Sequence, residues 1–167
     1  VAKALYGMVK KLGGELPEKL TEVPASGRSD WMAQCYQEGN TAYDEDEAAK
    51  SEITAINTRV YQFHSENDTL SSLAQIYWTC REWSYTYFNV FYKSIGSSFE
   101  KYYPESETAP IGLETVKDHI GDVYEESNGA VVFNGDKFGL HTRVFINSNG
   151  LPTYEAKDVG LAVKKWA

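Results

Sequence analysis

The chain has 167 residues, a net charge of −8, and hydrophobic and aromatic contents of 42% and 14%. That is enough apolar side chain to bury a core, which sets it apart from disordered polymers. The acidic balance argues against a free-standing nucleic-acid-binding module, since neutralising phosphates needs a basic surface. It leaves room for a part of a larger nucleic-acid enzyme whose basic face lies elsewhere. No apolar run approaches the ~20 residues that span a bilayer. The N-terminus lacks the charged, apolar, small-residue layout of a signal peptide. Cys35 and Cys80 show no metal-ligand or CxxC spacing and are expected to be buried, reduced thiols of a cytoplasmic protein. The chain opens without Met inside an amphipathic pattern and closes in helical rhythm, so a piece of a longer protein is expected.

Residues 1 to 12 place Leu5, Met8, Val9 and Leu12 at helical spacing, and Gly13-Gly14 ends the run. Residues 15 to 29, with Pro17, Pro24 and Gly27, read as a connecting loop. Asp30 is placed to cap a short helix through Trp31, Met32, Cys35 and Tyr36, stopped by Gly39 and Asn40. The next helix is expected to start at Asp44, with Glu47 three residues on, and to bury Ile53, Ile56, Val60 and Phe63. Its acidic first turn reads as a solvated helix start rather than a metal site, which needs converging ligands. Residues 69 to 95 form the most hydrophobic helix, with Leu73, Tyr77, Cys80, Trp83, Tyr87, Val90, Phe91 and Ile95, and are expected to be buried. "FEKYYPESETAP" reads as a polar connection. "LETVKDHIGDVYEES" reads as a helix burying Val116, Ile120 and Val123. Val131 to Phe133 and Arg143 to Asn147 read as strands around an Asn134-Gly135 turn. A last helix runs from Glu155.

Three stretches then line up in order: "FNVFYKSIGSSFEKYYPES", "SNGAVVFNGDKFGL" and "TRVFINSNGLPTYEAKDVGLA". The series resembles the middle of class I arginyl-tRNA synthetases. That family has a tyrosine-rich helix, a Leu-Gly-x-x-Phe-Asp step, a Glu-Ser pair, a Gly-Ala-x-(Val/Ile) strand and a Ser-Asp-Gly-Thr-x-x-Tyr-x-x-x-Asp-Ile-Ala signature. Upstream, "VAKALYGMVKKLG" and "DWMAQCYQEGNTAYDEDE" look like the family's preceding helices. Asn149 stands where the family usually has aspartate, Leu151 for threonine, "AKD" for "TRD", and Ile95-Gly96 for Leu-Gly. The His-x-Gly-His and Lys-Met-Ser-Lys-Ser motifs and the anticodon-reading helical domain have no counterpart in the chain.

The resemblance implies a helix-rich α/β fold, part of a Rossmann-like catalytic domain with a helical lobe and a small β insertion. Residues 1–100 would be the mainly helical part, and 101–167 a helix, a β-hairpin insertion and the start of the second half of the domain. It implies a parent enzyme that uses ATP with Mg to activate L-arginine and transfers it to tRNA(Arg). It also implies an arginine pocket lined by Glu105, Tyr154 and Asp158, with no catalytic residue and no metal ligand in this stretch. A guanidinium is planar and always charged, with five donors that two carboxylates can share. Asp158, placed in the first turn of a helix, would be held ionised by the nearby N–H groups. The chain alone is expected to be inactive. His64, His119 and His141 lack partners at ligand spacing and read as structural or surface residues. Ser106 has no histidine to activate it.

Two other classes of function fit some of these residues. Glu105 and Asp158 would suit a glycoside-cleaving pair if they flanked a sugar groove ~5–9.5 Å apart. A non-catalytic, acidic helical interaction domain would instead show a large exposed apolar patch without convergent carboxylates.

Overall fold

The computed structural model describes residues 1–166. It divides into two compact units, Val1–Ser98 and the described residues from Phe99 onward.

The first unit is helical. Helix α1 (Ala2–Leu12) buries Ala2, Leu5, Met8 and Leu12, and Gly13 ends it in the left-handed region at φ 77°. Residues 17–27 are not an irregular loop. They form two short 3₁₀ turns, Pro17–Glu22 and Ala25–Gly27, and Leu20 reaches the core from the first.

Helix α2 (Arg28–Glu45) is longer than its sequence suggests, running through Gly39 and Asn40 without a break. Gly39 is a contact point, not a stop. A Cβ there would lie 1.9 Å from the Lys3 carbonyl oxygen, and one at Gly7 would lie 2.1 Å from the Cys35 carbonyl oxygen. The two helices therefore touch backbone to backbone. Lys3 reaches Asn40 while Lys11 reaches Glu38, so they run antiparallel.

Helix α3 (Glu47–Ser65) is capped two residues later than expected. Asp46, not Asp44, accepts from the Ala48 and Ala49 N–H groups. Its Ile53, Ile56 and Phe63 join the core.

Helix α4 (Ser72–Ser94) buries Leu73, Ala74, Ile76 and Cys80. Its second half departs from expectation: Phe88, Val90 and Phe91 are 42%, 64% and 43% exposed, and Tyr87 and Ile95 are also exposed. The core of this unit takes nothing from α4 beyond Trp83. Burial of the aromatic stripe is thus confined to the first half of the helix.

The second unit pairs helices with a small sheet. Helix α5 (Glu105–Asp118) begins inside the stretch read as a polar connection. It ends well before residue 127, which leaves Ile120 and Val123 exposed while Val116 is buried. Strands β1 (Glu125–Ser127), β2 (Ala130–Phe133) and β3 (Arg143–Ile146) form an antiparallel sheet in that order.

The tight turn is Asn128-Gly129, both at positive φ (50° and 77°), joining the facing pair Ser127 and Ala130. The second Asn-Gly pair does not make a hairpin turn. Asn134 has φ −79° and leads into a 3₁₀ turn, Gly135–Phe138.

Helix α6 (Tyr154–Trp166) crosses α5 at another glycine contact. A Cβ on Gly112 would lie 1.8 Å from the Ala156 carbonyl oxygen, and one on Gly160 would lie 2.1 Å from that of Thr108. Val116, Tyr124, Val131, Ile146 and Ala156 make the core beneath. The fold is thus helix-rich with one small antiparallel sheet. No described helix is long and apolar enough to cross a membrane.

Candidate functional site

Glu105, Tyr154 and Asp158 all lie in the second unit. Glu105 is the first residue of α5, and the other two sit one turn apart on α6. The start of α6 is tied to β3. The Thr153 hydroxyl donates to the Val144 carbonyl at 2.7 Å, and the Thr153 N–H donates to the Phe145 carbonyl at 2.9 Å. Ala156 and Gly160 face α5 and are buried. At 100° per residue, Tyr154 and Asp158 then fall on the opposite, outer face. Tyr154 is accordingly 72% exposed.

The side chain that joins these groups is Lys157. Its ε-ammonium donates to Glu105 Oε2 at 2.8 Å and lies 5.0 Å from the centre of the Tyr154 ring. Glu105 and Tyr154 are therefore drawn to one internal cation. The Lys157 side chain is 16% exposed and that of Glu105 is 60% exposed. Nothing local in the sequence marks Lys157 for this role, since its partner lies 52 positions away. Beside it, Lys164 pairs with Glu107 between the same two helices.

Asp158 does not join this pair. Its side chain is exposed and makes no hydrogen bond or ion pair with another described residue. It also lies in the second turn of α6, not the first. The first-turn acid is Glu155, whose carboxyl is held below its ordinary value. The causes are its own backbone N–H, the Thr153 hydroxyl and the nearby Arg143 guanidinium. The N-terminal dipole acts mainly within that first turn, so it stabilises Glu155 rather than Asp158.

A surface cleft of about 500 Å³ lies in the first unit, lined in part by Lys11, Lys19, Glu22, Asp30 and Trp31. It contains none of the three residues singled out in the sequence. Its cations are engaged already, Lys11 with Glu38 and Lys19 with the Leu12 carbonyl. The Glu105–Tyr154 corner lies in the other unit and already holds a cation, the Lys157 ammonium. Among the described residues no group of three or more His, Cys, Asp or Glu could hold a metal ion. His119 pairs with Asp122, and His64 meets the Tyr77 hydroxyl at 2.6 Å.

No family model matches the chain. Comparison with curated proteins gives a consistent result. The arginine–tRNA ligase of Flavobacterium psychrophilum is 30% identical over 89 residues, covering 52% of this chain and 15% of that protein. The chain is related to arginine–tRNA ligases. The ligase of Porphyromonas gingivalis is 34% identical over 86 residues, half of this chain and 14% of its own length. That of Bacteroides thetaiotaomicron is 24% identical over 138 residues, which is 81% of this chain and 22% of the relative. The matched stretches thus span between 14% and 22% of the length of these arginine–tRNA ligases.

Proposed function

We propose that the chain is part of the Rossmann-like catalytic region of a cytoplasmic arginine–tRNA ligase and supplies one wall of its arginine pocket. In this reading Glu105 and Asp158 receive the guanidinium and the Tyr154 ring lies beside it. The observation that carries it is the lysine ammonium lodged between Glu105 and Tyr154, in a chain related to arginine–tRNA ligases. A corner that holds an ammonium by a carboxylate and an aromatic face has the chemistry to hold a guanidinium.

The reaction of the parent enzyme is attack of the arginine carboxylate on the α-phosphate of ATP, followed by transfer of the arginyl group to the terminal ribose of tRNA(Arg). Within it, this chain binds and orients arginine. In this reading Mg arrives with ATP. The exposed apolar end of α4 is the feature expected of a helical interaction domain, but kinship with arginine–tRNA ligases weighs against that reading.

The test is calorimetric titration of L-arginine into the chain and into Glu105→Gln and Asp158→Asn. Binding by the chain, weakened about tenfold or more in each variant, is expected for charge-assisted contacts. Arginine binding unchanged in both variants would remove these residues from the pocket. The chain alone should give no arginine-dependent ATP–pyrophosphate exchange.

A further inference from the structure

We infer that Lys157 is a tethered occupant of the arginine corner and sets the affinity threshold that any cationic ligand must pass. The inference rests on the arginine reading above. The Lys157 ammonium takes Glu105 Oε2 at 2.8 Å and stands 5.0 Å from the centre of the Tyr154 ring, so it uses two of the three groups assigned to the substrate. The Lys157 side chain is largely covered while that of Glu105 is mostly exposed, so a ligand can approach the acid from outside.

A cation entering this corner competes with an ammonium that is already in place. Its apparent dissociation constant is the intrinsic one divided by the fraction of molecules in which Lys157 has swung away. That factor is the same for every ligand. A free lysine offers the ammonium that Lys157 offers, without the tether. Arginine offers a planar fork that can take both carboxylate oxygens and a flat face for the ring. It can also engage Asp158, which Lys157 leaves unused. Lys157 therefore shifts all affinities together and leaves the preference for arginine to the planar fork and to Asp158.

Titrating arginine and lysine into the chain and into Lys157→Met and Lys157→Arg tests this. Lys157→Met should tighten both ligands by the same factor, about three- to tenfold, with their ratio unchanged. Lys157→Arg should weaken both, because an internal guanidinium holds Glu105 by two hydrogen bonds. Unchanged or weaker binding in Lys157→Met overturns the inference. So does wild-type affinity in Lys157→Arg, which keeps the charge and would mark simple repulsion.

A second measurement separates the two proposals. The ¹⁵N ζ resonance of Lys157 should move in Glu105→Gln. If it does not move, the tethered pair is absent in solution and the inference falls even where arginine binds. If it moves and no variant binds arginine at millimolar concentration, the arginine reading fails and takes this inference with it.

Discussion

Gly39 rests on the carbonyl of Lys3, and the opposing Gly7 rests on that of Cys35, so α1 and α2 meet without side chains between them. A methyl group at residue 39 would need to occupy space 1.9 Å from a backbone oxygen. Backbone cannot yield as a flexible side chain does. Gly39→Ala should therefore destabilise the chain by about 1–3 kcal/mol, outweighing the ~1 kcal/mol that alanine gains over glycine within a helix. Urea unfolding should show a lower midpoint at an unchanged slope. A midpoint at or above wild type would mean that the two helices stand further apart.

His64 makes stability depend on pH. Burial, and then the Arg81 guanidinium, hold its folded pKa below the ordinary 6.5. The unfolded chain thus binds more protons than the folded one in the window just below pH 6.5. The stabilisation is present above that value and is lost as the pH falls through the window, at no more than about 1.4 kcal/mol per pH unit. Melting temperatures between pH 7.5 and 5.5 should fall for the wild type and fall less for His64→Gln. Parallel curves would show that His64 does not carry the effect.

Cys35 and Cys80 are free and buried, and burial pushes each thiol up to about 12. The thiolate is the reactive species. Neither cysteine should react appreciably with a maleimide at pH 7.5 in the native protein, and both should react in denaturant. Rapid native labelling would contradict the burial of this core.

How much of this was legible in the sequence depends on whether a signal is local. The periodic stripes of α1 and α3 and the left-handed stop at Gly13 could be read directly, since a helix needs no distant partner to show its apolar face. Gly39 misled because glycine serves both as a helix terminator and as a close-packing residue. The choice between the two is made by α1, more than thirty residues away.

The two Asn-Gly pairs pose the same problem. At 128–129 both residues take positive φ and close a hairpin, while at 134–135 the chain turns through a 3₁₀ segment in which Gly135 packs under the His141 carbonyl. Asp46 prevailed over Asp44 as a cap because α2 continues through residue 44 and breaks only at Asp46. At the candidate site, Glu105 and Tyr154 were named from motif resemblance alone. Lys157 was not, because an ion pair between α5 and α6 is a product of the fold.

The most direct test of the account is an ¹⁵N-resolved NMR titration of the chain with L-arginine, with L-lysine as the control. The account predicts that arginine shifts a compact set of amides around Glu105, Tyr154, Lys157 and Asp158, and that lysine at the same concentration leaves them nearly unmoved. Arginine shifts centred in Val1–Ser98, or equal responses to the two amino acids, would contradict an arginine corner at the junction of α5 and α6.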